Sequence, residues 1–198
     1  MTRVRTFIGV DPGKAVRERM VALQTTLART GSQVKWVEPD NLHVTLLFLG
    51  EVDDRRLPEV CRLVGECTQS HSAFDMTVEG VGCFPNLRRP RILWVGVGKG
   101  EPGLSALHDD LEVPLLELGY RREERRYTPH ITLGRVRSEH STDRLSAELR
   151  QLASWQAGEH FVREVQVMGS ELTPKGPVYT ILGRGKLSQK PQVEAVDP

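Results

Sequence analysis

HVTLLFLG (43–50) and HITLGRV (130–136) share a tetrapeptide, His-x-Thr-Leu, and each copy sits in an apolar run of strand length. Side chains in a strand alternate between faces, so residues i and i+2 share one face. His43 and Thr45 therefore point one way while Val44 and Leu46 enter a core. His130 and Thr132 stand in the same relation to Ile131 and Leu133. Two such strands side by side would bring two imidazoles and two hydroxyls onto one surface. That surface carries an acid, a base and two hydrogen-bond donors for an anion.

Outward from the first copy, residues 35–37 read as a short strand and 38–41 as a turn. Before them, residues 5–10 read as a buried strand. Asp11-Pro12 then offers an N-cap with proline at the first helical position. Val16, Met20, Leu23 and Leu27 recur at helical spacing to about residue 30. After the first copy, Asp53 can cap a second helix with Leu57, Val60, Cys61, Val64 and Cys67 facing inward. Residues 74–84 and 91–97 alternate around a loop with Arg88 and Arg89, which predicts a hairpin. Leu104, Leu107, Leu111, Leu115 and Leu118 mark a third helix. Pro114 is expected to kink or break it, and Gly119 to end it. Beyond the second copy, 141–155 reads as a helix, then 160–169 and 178–187 as strands. Each tetrapeptide thus follows a strand-helix unit, which suggests a duplicated α+β chain whose halves each lend a strand to a shared cleft. Residues 1–187 are expected to form one domain, and 188–198 a frayed polar tail.

Bulk properties remove several classes. The chain has 198 residues, a net charge of +1, 38% hydrophobic and 27% charged residues, so general disorder and bulk electrostatic binding of nucleic acid are both disfavoured. No apolar run approaches the ~20 residues of a membrane span. The N-terminus runs straight into Asp11-Pro12-Gly13 and reads as a strand rather than a signal peptide. Cys61, Cys67 and Cys83 are odd in number and lack C-x-x-C spacing, which argues against a disulfide framework or thiolate zinc site and for the cytoplasm.

The chemistry then falls to His43 and His130. An unperturbed imidazole pKa of ~6.5 lets one ring be neutral and the other charged near neutral pH. A neutral ring can take a proton from water while a charged ring gives one to a leaving oxygen, a division that suits phosphodiester hydrolysis or transfer. Thr45 and Thr132 can donate to the non-bridging oxygens. No Asp or Glu lies at ligand spacing on either strand, so no metal or other cofactor is expected. The spacing does not distinguish acid from base.

WVEPDNLHVTLLFLGEV (36–52) and RRYTPHITLGRV (125–136) resemble the paired HxTx signatures of the two-histidine (2H) phosphoesterases, and within them the LigT-like RNA 2′,3′-cyclic phosphodiesterases. The likeness extends to 5–11, 84–97 and 170–182. It implies an α+β fold of two pseudo-symmetric lobes around a central cleft, each an antiparallel sheet with helices on its outer face. It also implies opening of a 2′,3′-cyclic phosphate at an RNA 3′ end to a 2′-phosphate. His43 would be the proton donor to the 3′ oxygen, His130 the acceptor from water, and Thr45 and Thr132 the phosphate ligands. The same residues run in reverse would give a 2′–5′ RNA ligase, and a cleft without useful chemistry would be an RNA- or nucleotide-binding module. Nothing in the sequence demands more than a monomer.

Other residues carry weaker signals. Arg135 could bind phosphate, but strict alternation puts it on the far face from His130; a bulge at Gly134 is what would bring it round. Arg88, Arg89, Arg121, Arg122, Arg125 and Arg126 could rim the cleft, although loop charges are usually just solvated. Phe7, Trp36, Phe84, Tyr127 and Tyr179 could stack on bases, with core packing the simpler role. His71, His108, His140 and His160 lack a threonine partner and read as ordinary surface or helix residues.

Overall fold

The computed structural model describes residues 2–121, 126–138, 142–174 and 176–189. Its strands are β1 (Arg3–Val10), β2 (Val34–Trp36), β3 (Val44–Asp53), β4 (Phe74–Phe84), β5 (Ile92–Val97), β6 (His130–Val136), β7 (Gln156–Val162), β8 (Glu164–Thr173) and β9 (Gly176–Lys186). Its helices are α1 (Lys14–Ala28), α2 (Leu57–Thr68), α3 (Glu101–Glu117) and α4 (Asp143–Gln151). The strands form one nine-stranded sheet in the order β7-β4-β5-β6-β3-β1-β8-β9, with β2 added beside β6. Every strand pair is antiparallel.

The sheet has a centre, where β3 and β6 meet at the single pair Val44↔Ile131. Outward from it the order is β3-β1-β8-β9 on one side and β6-β5-β4-β7 on the other. The expected lobes are thus two halves of one continuous sheet. The chain weaves between them: α1, which joins β1 to β2, packs against β7 of the opposite half, while α3, which joins β5 to β6, packs against β3 and α2. Val44 and Ile131 are both fully buried. Burying a side chain of this size contributes about 1.5–3 kcal/mol, so the seam between the halves is apolar at its middle. The rest of the core follows the predicted alternation, with Leu46, Leu133, Ile8 and Val95 turned inward.

Several boundaries differ from expectation. The first helix starts at Lys14 rather than Pro12, because Gly13 has a φ of 82° and the Asp11 carboxylate accepts from the Gly13 N–H at 2.6 Å. Asp11 also holds Arg17, at 2.6 Å. Asp53 does cap, accepting from the Arg55 N–H at 3.0 Å, and the short 3-10 turn it opens, Asp54–Arg56, runs into α2. Pro114 neither ends nor interrupts α3, which continues to Glu117 with Leu111 and Leu115 buried on either side of the proline. Gly119 then stops it with φ 87°.

The largest correction falls on residues 160–169. They are two strands broken at Arg163, and the strands lie in opposite halves of the sheet: β7 pairs with β4, while β8 pairs with β1 and β9. The alternation shifts phase at the break, since Val162 and Val165 are three residues apart and both buried. The fourth helix is shorter than predicted; residues 139–141 lie outside the described residues. The tail is held as far as Ser188, whose N–H donates to the His71 carbonyl at 2.7 Å and whose carbonyl accepts from Ala73 at 2.8 Å. Residues 190–198 lie outside the described residues.

Candidate active site

Antiparallel pairing at Val44↔Ile131 sets His43 across from Thr132 and Thr45 across from His130, one residue to either side. Each histidine thus faces the threonine of the other motif. All four line one cleft of about 340 Å³. Its walls include Trp36, Arg135, Ser170 and Tyr179.

Both rings are oriented the same way. His43 Nδ1 lies 2.7 Å from the carbonyl of Asn41, and His130 Nδ1 lies 2.7 Å from the carbonyl of Thr128. A carbonyl only accepts, so Nδ1 carries the proton in each ring and Nε2 is the nitrogen left for the cleft. The acceptor is at position i−2 in both cases, supplied by the turn that enters the strand. Asn41 is itself fixed, since its side-chain amide donates to the Pro177 carbonyl at 2.8 Å. His43 Nε2 lies 3.0 Å from Thr45 Oγ1, so in the neutral ring the hydroxyl donates to it.

Each ring also sits among aromatics. Phe7 stacks on His43 with centroids 4.5 Å apart, and Tyr179 meets it edge-on at 5.5 Å. Phe84 meets His130 edge-on at 5.2 Å, with Trp94 at 6.4 Å. Gly9 makes room for the first group: a Cβ there would come within 2.7 Å of the Val44 carbonyl and 3.3 Å of the His43 ring. Removal from water holds the His43 pKa below its ordinary 6.5; the Asn41 hydrogen bond and the Asp11 charge pull the other way, and His130 adds to the lowering.

This shift has a consequence for stability. A ring whose folded pKa is depressed binds fewer protons than the same ring unfolded, so stability falls as pH drops from about 6.5 toward the folded value and the loss is complete below it. His43→Gln, neutral throughout, escapes this. In thermal melts across pH 4 to 8, the wild type therefore loses ground to His43→Gln below pH 6.5; parallel curves would contradict the desolvation account.

Arg135 does reach the cleft. In the β5–β6 register Trp94 pairs with Thr132 and Leu93 with Gly134, so Leu133 is an extra residue. This bulge reverses the alternation and brings Arg135 to the face of His130 and Thr132. Two features accommodate it. A Cβ on Gly134 would meet Val34 at 2.7 Å and Trp36 at 2.9 Å, so glycine is needed there. The bulged Leu133 carbonyl accepts from the Val37 N–H at 2.9 Å and from the buried Gln24 amide at 2.9 Å, and Gln24 also donates to the Val37 carbonyl at 2.8 Å. The other half repeats the device. Gly9 pairs with Thr45 and Ile8 with Leu47, so Leu46 is skipped just as Leu133 is.

The remaining candidates divide. Phe7, Trp36 and Tyr179 line the cleft, while Phe84 backs His130. Tyr127 lies behind: its hydroxyl donates to the Thr45 carbonyl at 3.0 Å and its ring stacks on His108 at 4.3 Å. Burial pushes the Tyr127 pKa up, so it remains a donor. It thereby ties the run-in to the second motif onto the strand of the first. Arg88, Arg89 and Arg126 do not line the cleft, and Arg121 lines a neighbouring groove; Arg122 and Arg125 lie outside the described residues. His71, His108 and His160 are away from the cleft walls, with His71 beside Asp110 at 2.9 Å; His140 lies outside the described residues. The sequence reading missed Arg5 and Lys35, which add positive charge to the cleft. Lys35 is the register partner of Arg135, a signal available only once the pairing is known.

Among the described residues, no group of three or more His, Cys, Asp or Glu is placed to hold a metal ion, and no helix is long and apolar enough to cross a membrane.

Known proteins resemble this chain. A family model described as LigT like Phosphoesterase matches twice, over residues 10–94 and 95–179, consistent with the duplicated halves. A protein of Methanothermobacter thermautotrophicus called RNA 2′,3′-cyclic phosphodiesterase is 38% identical over 90% of this chain and 96% of its own length. One of the same name from Archaeoglobus fulgidus is 39% identical over 89% and 96%. A solved structure from Thermus thermophilus superposes with a TM-score of 0.78 at 30% identity, covering 92% of this chain and 97% of that one. Escherichia coli LigT complexed with 3′-AMP gives 0.77 at 28% identity, covering 94% and 99%. With both halves matched and this likeness running through nearly the whole sequence, the chain belongs to the LigT-like phosphoesterase family.

Proposed function

We propose that this protein is a metal-independent RNA 2′,3′-cyclic phosphodiesterase that leaves a 2′-phosphate. The observation that carries the reading is the pair of imidazoles held by the same backbone device in one cleft, each facing the other motif's threonine. His130 Nε2 accepts a proton from water as the water oxygen bonds to phosphorus. His43 Nε2 gives a proton to the 3′ oxygen as the P–O3′ bond breaks. Thr45 and Thr132 donate to the non-bridging oxygens, and Arg135 supplies charge-assisted hydrogen bonds to them. Turnover leaves His43 neutral and His130 charged, and exchange with solvent resets them. The names of the relatives support the same substrate class. All these groups come from one chain, so the proposed catalytic unit is residues 1–187 of a cytoplasmic monomer.

Product analysis tests this. An RNA ending in a 2′,3′-cyclic phosphate, incubated with the protein and EDTA, is converted to a 2′-phosphate end. A 3′-phosphate product, or tight binding without any product, would overturn the reading.

Gln24 enters as a positioning residue through the bulge that aims Arg135. Gln24→Met keeps the size and removes both donated bonds, at a cost of about 1–3 kcal/mol for the buried carbonyls. KM for the cyclic phosphate should rise several-fold with a smaller change in kcat. In an Arg135→Ala background the same substitution should leave KM unchanged, because the group it positions is gone. A KM effect that persists there would mean that Gln24 acts elsewhere.

A further inference from the structure

The bulge at Leu46 has a counterpart effect to the bulge at Leu133. It turns Phe48, five residues after His43, onto the cleft face, just as Leu133 turns Arg135, five residues after His130. One half therefore presents a guanidinium at this position and the other an aromatic ring. Phe48 is 39% exposed, on a strand at the middle of the sheet. Among the described residues the only other exposed large aromatic is Phe161, which is not in the cleft. The Arg5 guanidinium lies over the Phe48 ring, 4.8 Å from its centroid. Arg5 also faces Ser170 on β8, which in turn faces Tyr179 on β9, so a polar row leads from the ring toward His43.

A cleft of about 340 Å³ is at the small end of ligand sites. It suits the terminal nucleotide, and any longer RNA must leave over the rim. Phe48 stands on that rim, shared between the cleft and a groove lined also by Arg3 and Arg121. We propose that Phe48 and Arg5 form a subsite for the nucleotide immediately 5′ of the cyclic end. The base of that nucleotide stacks on the ring, and Arg5 meets the phosphodiester that joins it to the terminal nucleotide. Beyond this point the charge is mixed, because Glu51 and Asp53 are the register partners of Arg5 and Arg3. The preference therefore ends at about the second nucleotide.

This subsite rests on the proposed phosphodiesterase activity, and the test separates the two. The kcat/KM values of a mononucleotide and a dinucleotide, both ending in 2′,3′-cyclic phosphate, are compared. The wild type should prefer the dinucleotide by about tenfold, the scale of one base–aromatic stack, and a trinucleotide should add little. Phe48→Ala and Phe48→Leu should bring the ratio toward one. Arg5→Gln should lower it and weaken its dependence on salt. Each ratio uses one enzyme preparation, so partial misfolding cancels. A wild-type ratio of one, or a ratio unmoved by both Phe48 variants, overturns the subsite. No turnover of either substrate by the wild type overturns the activity, and the subsite with it.

Discussion

His43→Ala and His130→Ala each lower turnover of a nucleoside 2′,3′-cyclic phosphate by about 10²–10⁴-fold, the usual range for a positioned general acid or base. The loss falls on kcat more than on KM, because Thr45, Thr132 and Arg135, the proposed phosphate ligands, stay in place on the cleft wall. The double variant is only slightly worse than either single one: once one proton transfer is lost, the other has less to contribute. His43→Ala also removes a ring stacked on Phe7 and so costs stability. His43→Gln fills much of that space and should show the same loss of turnover with a higher melting temperature. His130 is more open to the cleft, and its replacement should leave the melting curve nearly unmoved. Full activity in either alanine variant, measured at saturating substrate on folded protein, would remove the paired-imidazole account.

The motifs themselves were readable because their information is local. Alternation over four residues puts His43 and Thr45 on one face and Val44 and Leu46 on the other, and the structure keeps that arrangement. What was not readable depends on pairing between distant strands. The bulges at Leu46 and Leu133 exist only relative to β1 and β5, so the side on which Phe48 and Arg135 emerge is not a property of their own segments. Gly134 hinted at one of them; no residue hints at the other. Gln24 looks like one more polar residue on α1 until the Leu133 carbonyl, 109 positions away, is placed beside it. Arg5 is similar: residues 5–10 read as a buried strand with no part in the site, and only the β1–β8–β9 register sets Arg5 on the cleft. The break at Arg163 is different: Val162 and Val165, three apart and both buried, already violate the alternation of one continuing strand, and their pairing in opposite halves of the sheet completes the separation.

The direction of proton flow is the part that the pseudo-symmetry of the motifs conceals, and the two rings' surroundings differ enough to separate them. His43 lies between Phe7 and Tyr179, and burial disfavours its charged form. Such a ring is a strong acid once it does carry a proton, and a bound phosphate anion supplies the countercharge that lets it do so. Giving that proton to the departing 3′ oxygen relieves the unfavourable charge. A substrate whose leaving group needs no proton tests this. In a 3′-deoxynucleoside 2′-(4-nitrophenyl phosphate), nitrophenolate departs unaided, no neighbouring hydroxyl can displace it in place of water, and the product is a 2′-phosphate. His43→Ala should then lose less than about tenfold, against the 10²–10⁴-fold loss on the cyclic phosphate. His130→Ala should lose about as much on either substrate, because water must still be activated. Rescue of His130→Ala with no rescue of His43→Ala would reverse the two roles, leaving His43, buried and neutral, as the base that takes the proton from water.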